Sequence, residues 1–437
     1  MQRDELAAWL RLTLTPGVGN GTARKLLAAF GLPASVFGQS ASALSQVVGP
    51  AQAASLRSEP AGLALQVETT WRWLNAPGNG EETGEETGQQ KGQQNGKGLP
   101  QGTAHRRIVA LGDAGYPESL LNIEDPPLML YLLGAGCIDV SQENWPLARV
   151  QHTQLAIDLI VNSLPRNAAQ SVAIVGSRNP TPQGLDNARQ FARALSQAGL
   201  TIVSGMALGV DGAAHEGALA GFEALAGLKK TAPGRLATIA VVGTGLDRVY
   251  PKSHRALAHA IAQNGLIISE YPLGTPPLAA NFPKRNRIIA GLAQGTLVVE
   301  AALKSGSLIT AQLAAEQGKE VFVIPGSIHS TQSRGCHALI RQGAKLVESA
   351  QDVLEDMKFD NAIIIGSTEA YGTRAKAVNI PKDPLLEALG FDPVSLDALQ
   401  ARTGMDTPGL QAQLMALELD GQVARLPGGL FQRMSQA

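Results

Sequence analysis

The stretch Val172-Ala-Ile-Val175-Gly-Ser-Arg178 is a short apolar run that ends in a loop of small residues, and this pattern recurs along the chain. Further apolar runs occupy residues 201–203, 238–242, 266–268, 296–299, 320–324 and 345–347, and helical patterns lie between most of them. Buried, β-rich runs that alternate with amphipathic helices are typical of a mostly parallel sheet covered on both faces. The sequence therefore predicts a Rossmann-like α/β domain.

The loops that follow these runs suggest a binding site. Because the carboxyl ends of parallel strands lie at one edge of a sheet, we expect the loops to converge there. Small residues let backbone N–H groups face a bound anion, although glycines at strand ends also serve ordinary turns. The candidate residues in these loops are Gly176, Ser177, Arg178, Ser204, Gly205, Gly243, Thr244, Gly245, Lys304, Ser305, Gly306 and Ser307.

A second candidate is the stretch Asn281-Phe-Pro-Lys-Arg-Asn-Arg-Ile-Ile-Ala-Gly291, in which Lys284, Arg285 and Arg287 precede an apolar helical pattern. Pro283 can open a helix at its first position. Cations in a first helical turn oppose the helix dipole unless an anion binds there. The stretch therefore predicts a phosphate-binding surface, with a solvated basic turn as the alternative.

Composition limits the class of protein. The chain has 437 residues, of which 44% are hydrophobic, enough for two or three domains, and its net charge of −1 restricts nucleic-acid binding to a local patch. No apolar segment is long enough to span a membrane, so we expect a cytoplasmic protein. With only Cys137 and Cys336, no disulfide framework is predicted.

Known catalytic patterns do not match. The loops at Gly176 and Gly243 lack the further glycines of a dinucleotide fingerprint, and neither a P-loop nor a nucleophile elbow is found. Asp211 and His215 stand at helical spacing, but a helix cap and a packed histidine are the favoured interpretation over an acid/base pair. The sequence thus predicts phosphate binding without a nucleophile, metal site or cofactor.

The chain divides into five segments: a helical module at 1–75, a low-complexity linker at 76–105, the Rossmann-like domain at 106–357, a second linker at 358–381 and a tail domain at 382–437. The first module contains a Pro-Gly-Val-Gly hairpin typical of a helix-hairpin-helix or SAM-like fold. Arg24 and Lys25 beside the hairpin could contact phosphate, or the module could only pack.

The tail is predicted to be a winged helix, with helices near 384, at 395–402 and at 408–419 and strands at 422–426 and 430–433. A DNA-reading helix needs basic or amide side chains, and the third helix carries Gln411, Gln413, Glu418 and Asp420 with no Lys or Arg. From residue 384 onward, six acidic residues stand against three basic ones. A protein-contact role is therefore favoured over nucleic-acid binding.

The motifs together closely resemble the DNA-processing protein A family (DprA, also called Smf), from about residue 112 to residue 357. They include Val203-Ser-Gly-Met-Ala-Leu-Gly-Val-Asp-Gly-Ala-Ala-His215, Tyr250-Pro-Lys252, Ser269-Glu-Tyr-Pro272, the stretch at 281–292, Ser305-Gly-Ser-Leu-Ile-Thr310 and Pro325-Gly-Ser327. Departures from the family pattern are the linker at 76–105 and extra residues near 141–170 and 221–235.

The resemblance implies a non-catalytic protein that binds and protects single-stranded DNA and helps load RecA recombinase during natural transformation. It implies a homodimer, with single-strand-binding protein as a further candidate partner. By motif position, the implied DNA contacts are Arg178, Lys252, Phe282, Lys284, Arg285 and Asn286, where Phe282 could stack on an unpaired base.

Two alternatives remain. One is a Rossmann-like enzyme that cleaves nucleotide N-glycosidic bonds, although the loop Pro325-Gly-Ser-Ile-His-Ser-Thr331 lacks the glutamate of such enzymes. The other is a scaffold that acts through protein contacts alone.

Overall fold

A computed structural model describes residues 1–76, 105–135, 170–227, 235–359, 383–390 and 393–433. The linker at 76–105 and the insertion near 141–170 therefore lie almost wholly outside the described residues, as do residues 228–234 and most of the second linker. None of the helices in the described ranges combines the length and the apolarity needed to cross a membrane.

The first described range is a bundle of short helices, as the sequence predicts. Leu6, Trp9, Leu26 and Val67 are among its buried side chains. Gly17, in the predicted hairpin, has a φ of +77°, a conformation that glycine adopts without strain. The helices are α1 Arg3–Leu14, α2 Asn20–Phe30, α3 Pro33–Phe37, α4 Ala41–Val47, α5 Pro50–Arg57 and α6 Leu63–Asn75.

The central ranges form a nine-stranded sheet, and all seven predicted runs are strands of it. The strands are β1 His105–Ala110, β2 Met129–Gly134, β3 Ser171–Val175, β4 Thr201–Ser204, β5 Thr238–Val241, β6 Leu266–Ser269, β7 Gly295–Val298, β8 Glu320–Val323 and β9 Lys345–Leu346. The order across the sheet is β1-β2-β6-β5-β4-β3-β7-β8-β9. Strands β3 to β9 pair in parallel, and β1 and β2 join the β6 edge in antiparallel fashion.

Helices cover both faces of the sheet. Buried residues of α8, α9 and α14 pack on one face, and those of α11, α12 and α13 on the other. These helices, with α7 and α10, are α7 Glu118–Leu121, α8 Pro182–Gln197, α9 Val210–Gly227, α10 Arg255–Asn264, α11 Asn281–Leu292, α12 Ser307–Glu316, α13 Arg334–Arg341 and α14 Ala350–Asp356. The prediction that Pro283 opens α11 was wrong by two residues. Proline is tolerated as the third residue because first-turn N–H groups have no partner within the helix.

The strand order creates one switch point. From β3 the chain adds β4, β5 and β6 on one side, then returns to place β7 against the other side of β3 and continues outward to β9. In open parallel sheets, ligands bind in the crevice where the order reverses. The loops after β3 and β7 therefore flank the expected binding crevice.

The last ranges form a winged helix with its own apolar core, as predicted. Its three-stranded sheet has the order β10-β12-β11, and the core contains Leu389, Leu410, Leu414 and Phe431. The elements are α15 Pro384–Leu389, β10 Val394–Ser395, α16 Leu396–Thr403, α17 Thr407–Leu419, β11 Val423–Leu426 and β12 Leu430–Arg433.

Candidate nucleic-acid interface

A pocket of about 460 Å³ lies at the switch point between β3 and β7. Its walls are the loops that follow these two strands and the first turns of α11 and α12. Ten of the residues predicted from the sequence line it: Gly176, Ser177, Arg178, Phe282, Arg285, Asn286, Lys304, Ser305, Gly306 and Ser307.

Two exposed cations line this pocket. Arg178 comes from the loop after β3 and Lys304 from the loop after β7, and both side chains are exposed. The two loops follow different strands, so the pairing of β3 with β7 places at one pocket two charges that are 126 positions apart in the sequence. A polyanion could contact both at once.

The N-terminus of α12 adds a second source of positive potential. Its N-cap residue, Gly306, offers no side-chain hydrogen bond to the helix. The Ser307 N–H donates only to the Ser305 Oγ, at 3.3 Å, and the hydroxyls of these two serines lie 2.6 Å apart. A helix N-terminus that has no carboxylate, and whose N-cap residue has no side chain, leaves room for a phosphate oxygen at the positive end of the helix dipole.

By contrast, the N-terminus of α8 is already satisfied. Thr181 caps it by accepting a hydrogen bond from the Gly184 N–H at 3.0 Å. The Thr181 N–H and Oγ1 in turn donate to the Glu300 carboxylate, at 2.9 and 2.6 Å. Burial raises the pKa of Glu300. An anion in the pocket would therefore bind on the α12 side.

Aromatic rings extend the pocket rim. The Arg178 guanidinium carbon lies 5.6 Å from the centroid of the Phe282 ring, and the Tyr250 ring lies 5.6 Å beyond it at a 40° tilt. Tyr250 is 47% exposed, and Lys252 is exposed two residues further on. Sequence reasoning missed Tyr250. The motif Tyr250-Pro-Lys252 is recognisable in the sequence, but no local pattern predicts that Tyr250 contacts Phe282.

Arg285 is buried beneath the pocket. Only 4% of it is exposed. Its Nη1 donates to the Val241 carbonyl at 2.5 Å, and its Nη2 lies 3.5 Å from an Asp211 carboxylate oxygen. Burial lowers the pKa of Arg285. Glycine at position 205 leaves room for this side chain, because a Cβ there would overlap the guanidinium.

Arg287 and Lys284 do not line the pocket. The Arg287 Nη2 donates to Glu270 at 2.5 Å and lies 3.3 Å from an Asp125 carboxylate oxygen. Lys284 is exposed on α11. Asn286, which does line the pocket, donates to the Gly306 carbonyl at 3.2 Å and so ties α11 to the start of α12.

The remaining predicted residues also lie outside the pocket. The Ser204 hydroxyl is fully buried and donates to the Ile174 carbonyl at 2.7 Å. Thr244 is 2% exposed, and its carbonyl accepts from Ser269 Oγ at 2.6 Å. A Cβ on Gly243 would lie 3.3 Å from the Phe282 ring, and one on Gly245 would lie 2.8 Å from a Pro272 carbonyl. These loops follow β4 and β5, which lie on the far side of β3 from β7.

The helical pair of Asp211 and His215 has a structural role. His215 is fully buried and shares a 2.7 Å hydrogen bond with Thr238. Burial lowers the pKa of His215 to about 3, so the ring is neutral. Asp211 accepts from the Ala207 N–H at 3.3 Å and is the counter-ion of Arg285. The packed histidine is as predicted, whereas the counter-ion role was not foreseen.

The hairpin of the N-terminal module faces its own neighbouring domain. Arg24 donates to the Asp125 carboxylate at 2.6 Å, and the Asn20 amide donates to the same group at 3.1 Å. A carboxylate thus lies where the helix-hairpin-helix interpretation would place a DNA phosphate. Of the two roles considered for Arg24, packing is the one that the structure shows.

With this geometry in hand, the chain can be compared with known proteins. The family model "DNA recombination-mediator protein A" matches residues 136–358, and the "DprA winged helix domain" model matches residues 373–429. Protein Smf of Escherichia coli is 42% identical over 269 residues, which cover 61% of this chain and 68% of Smf. Protein Smf of Synechocystis is 36% identical over 349 residues, covering 74% and 78%.

A solved structure agrees with these matches. The X-ray structure of DNA processing protein A from Streptococcus pneumoniae superposes with a TM-score of 0.56 at 31% identity, and covers 82% of this chain and 98% of its own. The family model spans half of the chain, and both relatives are matched over more than two thirds of their length. The chain therefore belongs to the DNA recombination-mediator protein A family, whose members are also named DprA or Smf.

Proposed function

We propose that this chain binds single-stranded DNA in the switch-point pocket and delivers it to a RecA recombinase, without itself catalysing a reaction. One observation carries the proposal: Arg178, Lys304 and the N-terminus of α12, which has Gly306 as its N-cap residue, line one pocket that has an aromatic rim. The family description, recombination mediator, supports the delivery step.

The arrangement favours unpaired strands. Phe282 and Tyr250 offer ring surfaces beside the cations. An exposed base can stack on such rings while its phosphates meet Arg178 and Lys304, whereas the bases of a duplex are already stacked on one another. Stacking and phosphate contacts are common to all sequences, so we expect preference for single strands without preference for sequence.

We divide the predicted contacts into two groups. We propose that Arg178, Lys304, Phe282 and Lys252 contact DNA through their side chains, and that Ser305–Ser307 contribute backbone and hydroxyl groups. We propose that Arg285 and Arg287 support the pocket and do not contact DNA. The Arg285 guanidinium already bonds the Val241 carbonyl and Asp211, and the Arg287 guanidinium bonds Glu270. We further propose a cytoplasmic homodimer that acts with single-strand-binding protein on the same DNA.

Fluorescence anisotropy of labelled single-stranded and duplex oligonucleotides over a salt series tests the binding step. Arg178→Ala and Lys304→Ala should each weaken single-strand binding by about 1–3 kcal/mol, because each removes a charge-assisted contact. Each should also reduce the slope of log affinity against log salt by about 0.7. Arg189→Ala is the matched control, since Arg189 is exposed and pairs with Glu216 outside the pocket.

Two results would contradict the proposal. Unchanged affinity in both pocket variants would remove the pocket from the interface, and absence of binding at low salt would remove the function. In that second case, hydrolysis of nucleoside monophosphates by the purified protein would point to the rival enzyme class. The delivery step is tested separately, by the lag before RecA-driven strand exchange on DNA coated with single-strand-binding protein, which the wild-type chain should shorten.

A further inference from the structure

The third helix of the winged-helix module, α17, exposes a stripe of apolar side chains. Met415 is 64% exposed and Leu419 is 80% exposed. Ala412 and Ala416 are exposed as well. The spacing of three and four residues places all four on one face of the helix. Large apolar side chains that are grouped on a surface mark an interaction site more often than isolated ones do.

This stripe is separate from the face that holds the module together. Leu410, Leu414 and Leu417 of α17 point into the core, where they join Leu385 and Phe431. The helix therefore has two apolar faces, and the module's fold needs only one of them. The second face is unaccounted for by the packing of the described residues.

The charges around the stripe are acidic. Glu418 and Asp420 are exposed beside it. The basic side chains of the module are used internally: Arg402 donates to the Ala388 carbonyl at 2.9 Å, Arg433 donates to the Leu386 carbonyl at 3.4 Å, and Arg425 lies over the Phe431 ring at 5.9 Å. Two of these arginines thus satisfy carbonyls in the last turn of α15.

This surface is unsuited to a DNA groove. In winged-helix and related modules that read DNA, the corresponding helix enters the major groove and contacts phosphates through cationic and amide groups. Here the same position presents apolar groups, one exposed amide at Gln411 and two carboxylates, with no cation, and a phosphate backbone would repel the carboxylates. The complementary ligand has an apolar centre and a positively charged border.

We infer that the exposed face of α17 is a docking surface for a basic amphipathic helix of a partner protein. Met415 and Leu419 would be the apolar anchors, in the manner of a helix that lays its apolar side on a groove or stripe. Glu418 and Asp420 would meet lysines or arginines at the border and set the orientation of the partner. The inference does not depend on the DNA pocket.

The test uses the full-length chain and a labelled synthetic peptide of leucine and lysine, designed as an amphipathic helix of about five turns. Anisotropy should show binding that weakens at least about tenfold in the double variant Met415→Ser, Leu419→Ser, since each substitution removes an apolar side chain that the bound peptide would cover. A peptide of the same composition in scrambled order should bind at least about tenfold more weakly, because it lacks an apolar face.

Leu65→Ser is the matched control, because Leu65 is 72% exposed on α6, far from this module in the sequence. It should leave peptide binding unchanged. In a second arm, Glu418→Gln with Asp420→Asn should weaken binding and reduce its salt dependence. Single-stranded DNA affinity, measured on the same samples, should stay the same in every variant, which separates this result from failure of the pocket proposal.

Four outcomes would overturn the inference. The peptide could bind the double variant as tightly as the wild type, or the scrambled peptide could bind equally well. Duplex DNA could compete with the peptide in a stripe-dependent way, which would return the module to nucleic-acid binding. Finally, sedimentation could show that the stripe mediates self-association of this chain, in which case its occupant is a second copy.

Discussion

Substitution of Gly205 by alanine separates two interpretations of the loop after β4. Sequence reasoning placed Gly205 among the groups that approach DNA. In the structure, its missing Cβ makes room for the buried Arg285 guanidinium, which a Cβ at position 205 would overlap. The Gly205→Ala variant must therefore displace that group from the Val241 carbonyl and from Asp211.

The magnitude follows from burial. Separating a buried charge from its partners destabilises a protein by about 3–5 kcal/mol, which includes the loss of a charged hydrogen bond of about 1.5–3 kcal/mol. We expect a loss in this range, measured as a shift in the urea midpoint followed by circular dichroism. The double variant Gly205→Ala, Arg285→Met should recover about 0.5–3 kcal/mol relative to the sum of the single changes.

Gly306→Ala is the matched control for this experiment. A Cβ at Gly306 meets nothing within 4 Å, and the residue has an ordinary φ of −63°. Its stability should stay within about 0.5 kcal/mol of the wild type. The reasoning would be refuted if Gly205→Ala were equally neutral, or if its effect and that of Arg285→Met were strictly additive.

Three further predictions concern polar side chains that do not line the pocket. Thr181→Val should destabilise the chain by about 2–3 kcal/mol in the same urea assay, because it removes the cap of α8 and leaves the Glu300 carboxylate with one donor fewer; unchanged stability would contradict this. Asp125→Ala should reduce stability by only about 1 kcal/mol and leave DNA affinity unchanged, since its ion pairs with Arg24 and Arg287 are partly exposed; a large loss of DNA binding would show that the N-terminal module controls α11. Burial lowers the pKa of Lys319 from 10.5 to about 8, so between these pH values the unfolded chain holds a proton that the folded chain has released, and the free energy of unfolding should rise with pH. The Lys319→Met variant should lack this part of the rise, and parallel stability profiles against pH for the two proteins would exclude the effect.

The sheet was predictable because its strands are buried on both faces. A run such as Val172–Val175 is apolar at every position, and no alternating pattern competes with that interpretation. The switch point was harder to predict from the sequence, since the pairing of β3 with β7 joins segments more than 100 residues apart. Strand-end geometry predicted that the loops lie at one edge of the sheet, but it did not show which two of them flank the crevice.

The fate of the cations on α11 was harder to predict, although one signal existed. Arg285 stands three, four and seven residues before Ile288, Ile289 and Leu292, so it shares their buried face. Its charge suggested exposure, and the partners that make burial possible, Asp211 and the Val241 carbonyl, lie on other elements. A helical pattern shows which face a residue occupies, but it does not predict whether a carboxylate from another part of the chain lies against that face.

The N-terminal helices and the antiparallel edge of the sheet share one apolar core, so we expect them to unfold together. Trp73 packs against Tyr131 with ring centroids 6.2 Å apart, and the Gln66 amide donates to the Leu273 carbonyl at 3.1 Å. The buried cluster runs without interruption from Leu6 in α1 to Ile261 in α10. The segment boundary near residue 76 therefore divides the chain but not its cooperative unit, and amide hydrogens of α2 and β2 should exchange through the same opening event. Proteolytic cleavage between residues 77 and 104 would yield two fragments that stay associated until they unfold together.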